Sequence, residues 1–167
     1  MQSIDLTSEL NDWLGAGFMA SLRKFPDRPA LDVDGSTLSY RELYRRASRL
    51  AKALDARAPL DEPPLTAVLA SRSQTAFVGI FAALLRGHGY VPLNPNLPAD
   101  RTRYMLQQAG CRAVIVDKQG EKGLEELLQD IDWPLILVFP DACNADDLVR
   151  RFPEHQVLAG PLPPALE

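Results

Sequence analysis

The sequence has little of what most often carries protein chemistry. Its 167 residues include only two cysteines and two histidines, too few for a disulfide framework and without the close spacing of a Cys/His zinc site. Cys111 and Cys143 form neither a metal-type nor a redox-type pair. A reducing cytosol would keep both reduced, and Cys111, which abuts an apolar strand, serves as a small hydrophobe. An excess of basic charge is also missing. The 18 basic and 22 acidic residues give a net charge of −4 with no run of five like charges, which argues against nucleic acid and anionic membrane surfaces as partners. The longest apolar stretch, Ala76 to Leu85, falls well short of the roughly 20 residues that cross a bilayer. Met1 to Leu14 carries Asp5, Glu9 and Asp12 rather than the basic leader and apolar run of a signal peptide, so a cytoplasmic location is expected.

What is present is an ordinary globular composition, 46% apolar and 24% charged. A chain of this size buries roughly 70% of its unfolded surface, enough for one core without covalent staples. Leu6 to Phe25 has helical spacing with an interruption at Gly15 and Gly17, and Pro26 and Pro29 stop it. Ala30 to Val33 and Thr37 to Ser39 read as a hairpin around Asp34-Gly35.

From Leu65 onward, short apolar runs alternate with helical patterns. The reading is strand Leu65 to Ala70, helix Ser73 to Arg86, strand Tyr90 to Leu93, helix Pro98 to Ala109 and strand Ala113 to Val116. It continues with helix Gly120 to Asp130, strand Pro134 to Phe139, helix Ala145 to Arg151 and strand Gln156 to Leu158. Strands apolar on both faces and separated by single helices predict a doubly wound, mostly parallel α/β sheet with helices on both faces. Residues 1–159 are read as one unit. Residues 160–167 are read as a Pro-rich tail, partly foreign to the native protein.

Two helix starts are written plainly. Ser39 and Glu42 fit a capping box, with Leu38 and Leu43 as the accompanying hydrophobic staple. Tyr40, Leu43, Tyr44, Ala47, Leu50, Ala51 and Leu54 then share a face opposite Arg41, Arg45, Arg46, Arg49 and Lys52. That basic face is either a docking surface for anions or partners, or a solvated face with Glu42 paired to Arg46, the reading favoured here. Ser71 to Gln74 fits a second box ahead of a helix apolar nearly all round, which should be buried and should end at Arg86 with Gly87 left-handed. Pro92 and Pro95 demand a short or edge strand, and Asn96 is a suitable cap for the helix beginning at Pro98.

None of these devices is a nucleophile, a base or a phosphate cradle. Gly15 to Ala20 fits G-x-G-x-x-A but follows a helical pattern rather than the strand a dinucleotide turn requires. His88 and His155 read as surface residues in turns. Asp32 with Asp34, and Asp146 with Asp147, are explained by turn chemistry and helix amino-terminal charge.

Four segments in order carry a resemblance. They are Leu38-Ser39-Tyr40-x-Glu42-Leu43, then Leu84 to Pro95, then Leu97-Pro98-Ala99-Asp100-Arg101, then Ala109 to Asp117. Over about residues 8 to 140 the chain resembles the amino-terminal part of adenylate-forming enzymes, a superfamily of nonribosomal peptide synthetase adenylation domains, acyl- and aryl-CoA ligases and luciferases. Arg86-Gly87-His88-Gly89 replaces the more usual Lys-Ala-Gly-Ala/Gly, and Asn94 stands where amino-acid activating members more often have Asp. The second departure leaves the substrate class open.

The resemblance implies a parent enzyme that uses ATP and Mg²⁺ to convert a carboxylic acid, most simply an amino acid, to an acyl-adenylate. The acyl group then passes to a carrier-protein phosphopantetheine or CoA thiol. The family's Ser/Thr/Gly-rich phosphate loop ending in Pro-Lys-Gly is absent from these residues, so no catalytic, cofactor-binding or metal residue is assigned. The fragment alone is expected to be inactive, without bound cofactor, and to self-associate through an apolar face meant for the remainder of the adenylation domain. The alternatives are a non-catalytic relative acting as a docking or dimerisation module, and a small flavodoxin-like domain with its own ligand.

Overall fold

A computed structural model describes residues 14–59, 63–142 and 144–160. Helix α1 is Ala16–Lys24; the Leu6 to Trp13 part of the expected helix, Cys143 and residues 161–167 lie outside the described residues. Strands β1 (Pro29–Val33) and β2 (Ser36–Ser39) pair antiparallel. The hairpin closes because Asp34 and Gly35 both take positive φ, 51° and 77°, the geometry that matches strand twist in a two-residue turn.

Helix α2 (Tyr40–Asp55) starts as its sequence predicts, with Ser39 Oγ accepting from the Glu42 amide at 3.2 Å. The return half of the box is replaced by an ion pair, in which Glu42 accepts from Arg46 Nη2 at 2.7 Å. Leu38 and Leu43 are buried in the same cluster, consistent with the staple. Leu50, Ala51 and Leu54 complete the buried stripe, whereas Tyr40 and Tyr44 are half-buried.

The main sheet contains β3 (Leu65–Leu69), β4 (Gly89–Leu93), β5 (Ala113–Val116), β6 (Ile136–Phe139) and β7 (Gln156–Ala159). Their order is β4-β3-β5-β6-β7, every pair parallel. The crossovers are α3 (Gln74–Leu85), α4 (Ala99–Ala109), the pair α5 (Lys118–Glu121) and α6 (Leu124–Leu128), and α7 (Ala145–Arg151). Alternate strand residues feed two cores. Val68, Ile115 and Val138 pack with α2 and α3, while Leu69, Val116 and Leu137 pack with α4, α6 and α7. β4 lies at an edge, where Pro92 deletes no needed ladder donor.

Three local expectations are corrected. Helix α3 is capped by Ser73, whose Oγ accepts from the Ala76 amide at 3.2 Å, and not by Ser71; Ser71 is drawn away by the Asp117 carboxylate. Asn96 is not the cap of α4. Pro98 holds that position without a side-chain bond, and the Asn94 side chain closes a turn by accepting from the Asn96 amide at 2.9 Å. The single helix expected from Gly120 to Asp130 is two short ones that meet at Gly123. Asp117 starts the first early, and Gly120 is pinned beneath the Leu69 carbonyl.

Candidate functional site

In an open parallel sheet, ligands bind at the carboxyl ends of strands where consecutive crossovers leave to opposite faces. Here that point lies between β3 and β5, because α3 covers one face and α4 the other. It is filled by the protein's own carboxylate. Asp117, 3% exposed, accepts through Oδ1 from the amides of Gln119 at 3.0 Å and Gly120 at 2.7 Å. Through Oδ2 it accepts from the amide and hydroxyl of Ser71 at 2.8 and 2.9 Å. Burial opposes ionisation of Asp117, but the bonds from Gly120, Ser71 and Ser73 outweigh it and hold the carboxyl below the usual range. An internal anion thus takes the donors that a bound phosphate would use.

The amino ends of the flanking helices are closed in the same manner, by Ser73 on α3 and by Asn144, which accepts from the Asp147 amide at 3.2 Å, on α7. Among the described residues no group of three His, Cys, Asp or Glu side chains could hold a metal. The described residues therefore do not fit ATP phosphates or Mg²⁺.

The residues singled out in the sequence do not converge. Gly15 to Ala20 forms a turn and the start of α1, with the Gly15 carbonyl accepting from the Met19 amide at 3.0 Å. Asp32 accepts from the Thr37 hydroxyl across the hairpin at 2.6 Å, and Asp146 and Asp147 lie in the first turn of α7. Neither histidine is a plain surface residue. His88 Nδ1 lies 3.2 Å from Thr66 Oγ1, and His155 Nδ1 accepts from the Leu135 amide at 3.2 Å. Burial lowers the His155 pKa, partly offset by Glu154. Cys111 is wholly buried.

The sequence did not point to a cavity of about 250 Å³ where α2, α3 and the carboxyl ends of β6 and β7 meet. Arg46, Arg49, Thr75 and Asp141 give it polar walls, and Leu50 and Val78 give it apolar ones. The available signal was Arg49 itself, which sits on α2 next to the buried stripe rather than at the centre of the basic face.

Fold and site define a doubly wound α/β nucleotide-fold unit whose switch point is closed by its own aspartate. The family model described as AMP-binding enzyme matches residues 18–161. The chain belongs to that family. Gramicidin S synthase 2 of Aneurinibacillus migulanus is 36% identical over 139 residues, covering 83% of this chain and 3% of that protein. Tyrocidine synthase 3 of Brevibacillus parabrevis is 38% identical over 108 residues, covering 65% of this chain and 2% of that protein. The chain therefore spans only a few hundredths of these relatives.

Among solved structures, IdnL7 superposes with a TM-score of 0.71 at 33% identity, over 90% of this chain and 28% of that one. The Vibrio cholerae adenylation domain AlmE, in complex with glycyl-adenosine-5'-phosphate, superposes with a TM-score of 0.79 at 22% identity, over 100% and 30%. The AlmE match supports the fold. Among the described residues no helix is long and apolar enough to cross a membrane.

Proposed function

We propose that residues 1–159 form the amino-terminal subdomain of an adenylation domain, with 160–167 as a Pro-rich tail, in a cytoplasmic enzyme that activates an amino acid. In the parent reaction a carboxylate oxygen attacks the α-phosphorus of ATP. The bond to the β-phosphate oxygen breaks, pyrophosphate leaves and an acyl-adenylate forms; Mg²⁺ would be held by residues outside this chain and would balance phosphate charge there. A carrier-protein phosphopantetheine or CoA thiolate then attacks the acyl carbon and AMP departs.

The single observation that carries this reading is the family match over residues 18–161, joined to a switch point already occupied by Asp117. A unit of this family whose own ligand cleft is filled needs phosphate-binding groups from elsewhere in the parent enzyme. The chain's part is to present a stiff sheet and the α2/α3 layer to that remainder. The half-buried Phe77 and Ile80 on α3 supply an apolar contact for it, or for a second copy when the unit stands alone.

ATP–pyrophosphate exchange with a panel of amino acids tests the reading. The chain alone is expected to give none, and a chain extended by the remaining adenylation-domain residues is expected to give exchange. Exchange by the 167-residue chain alone overturns the division of labour, and an inactive extended enzyme overturns the assignment.

A further inference from the structure

The end of the sheet opposite the switch point carries a second cavity, of about 370 Å³, at the amino ends of β5, β6 and β7. Arg57 and Pro59, which follow α2, form one side of it, and Arg112, Pro134 and Gln156 form the other. No described acidic residue lines it, although the chain as a whole has 22 acidic residues against 18 basic. Both cations are positioned by uncharged neighbours. Arg57 donates from Nη1 to the Ala53 carbonyl at 3.2 Å, which uses one of its five N–H groups. The Arg112 guanidinium lies 6.0 Å from the centre of the Trp133 ring, and that ring is fixed by Trp133 Nε1 donating to the Cys111 carbonyl at 3.3 Å. Among the described residues neither arginine has a carboxylate partner. Both can be reached from solvent, since Arg57 is exposed and Arg112 half-buried.

Two like charges that share a cavity without a counter-charge favour an anion there. The planar fork of a guanidinium matches a carboxylate with two parallel N–H···O bonds. A molecule with one carboxylate answers one fork and leaves the other, whereas a molecule with a carboxylate at each end answers both. Arg57 and Arg112 come from different elements on opposite sides of the cavity, so the two carboxylates need a short stem between them. Pro59 and Pro134 offer rigid apolar rims for that stem, and the exposed Gln156 adds an amide donor. We propose that this cavity binds a short aliphatic dicarboxylate, one carboxylate on Arg57 and the other on Arg112. The site lies away from the carboxyl ends of the strands and stands whether or not the chain works within a larger ligase.

Calorimetric titration of the full 167-residue chain tests this, with glutarate, butyrate and inorganic phosphate as separate probes. Butyrate is glutarate without its second carboxylate. Glutarate is expected to bind at least about tenfold more tightly than butyrate or phosphate. Arg57→Gln and Arg112→Gln are each expected to weaken glutarate at least about tenfold, to the level of butyrate on the wild type. Arg45→Gln removes an exposed arginine from the groove on the basic face of α2 and is expected to leave glutarate binding unchanged. Glutarate that binds no better than butyrate, phosphate that binds as tightly as glutarate, or equal glutarate binding by wild type and Arg57→Gln overturns the assignment. So does a loss in Arg45→Gln as large as that in Arg57→Gln, which would show attraction to positive charge at large. Should Arg112→Gln fail to fold through the loss of its contact with Trp133, the exposed Arg57→Gln decides alone.

Discussion

Arg86 donates from Nε to Asp55 Oδ1 at 2.6 Å, and the two ends of this bond lie in opposite environments. The arginine side chain is 1% exposed and the aspartate side chain 57%. A second nitrogen, Nη1, reaches the hydroxyl of wholly buried Thr66 at 3.0 Å, which also meets His88 Nδ1. The clamp ties the end of α2 to the amino end of β3 and the turn after α3. It also accounts physically for the Arg86-Gly87-His88-Gly89 departure, because Arg86 and His88 both converge on Thr66.

The asymmetry sets the order of two variants. Asp55→Ala removes a charge-assisted bond from a side chain that is 1% exposed and is expected to cost about 1–2 kcal/mol. Arg86→Met removes the charge together with its desolvation cost, leaves Asp55 in water and keeps His88 on Thr66, so it is expected to cost less. Urea unfolding of the two proteins side by side checks the order, and a larger loss for Arg86→Met contradicts it.

Asp117 joins β3 to β5 through four bonds accepted by two oxygens. Asp117→Asn turns one oxygen into a donor facing donors and is expected to cost about 2–4 kcal/mol. Because the folded carboxyl titrates below its ordinary value of 3.8, the unfolded chain binds the proton first on acidification. The stabilisation is complete above the unfolded value and is lost as pH falls through the folded one. Acid titration of stability is expected to show a shallower fall for Asp117→Asn than for wild type.

Much of the fold was legible because apolar period and boundary chemistry agree. Ala113 to Val116 and Ala145 to Arg151 are found at the predicted bounds, and Ser39, Gly87 and Pro92 act as their residue types require. The failures share one cause, long-range competition for local groups. Ser71 matched a cap by spacing, yet a carboxylate 46 residues away claims its amide and hydroxyl. Gly120 stood only as the first residue of an expected helix, and the Leu69 carbonyl of β3 lies over it. The cavity was hidden for the same reason, since Arg49 and Asp141 line one space only after α2 is laid near the end of β6.

Two neighbouring glycines separate these effects. A Cβ at Gly120 would run into the Leu69 carbonyl oxygen and Leu69 Cγ, whereas at Gly123 it meets nothing within 4 Å, and Gly123 has φ −109°, open to any residue. Gly120→Ala is expected to destabilise by ~2–3 kcal/mol through forced displacement of β3. Gly123→Ala is expected to stabilise by about 0.4–1 kcal/mol by narrowing the unfolded ensemble. Thermal melts of the two variants are expected to move in opposite directions.

His155 supplies an acceptor, not a charge. Its Nδ1 takes the Leu135 amide at the approach to β6, so that nitrogen has to be unprotonated in the native state. Burial depresses its pKa from 6.5, with Glu154 acting against the shift. The unfolded chain therefore binds more protons between the folded value and 6.5, and stability rises with pH across that window. The contribution is complete above about pH 6.5 and is lost as pH falls through the folded value. His155→Asn keeps an acceptor oxygen near the Nδ1 position and removes the titration. Its stability at pH 8 is expected within about 0.5 kcal/mol of wild type, with a smaller loss than wild type on lowering pH from 7 to 5. Parallel pH profiles for the two proteins would show that the Leu135 bond does not depend on neutral Nδ1.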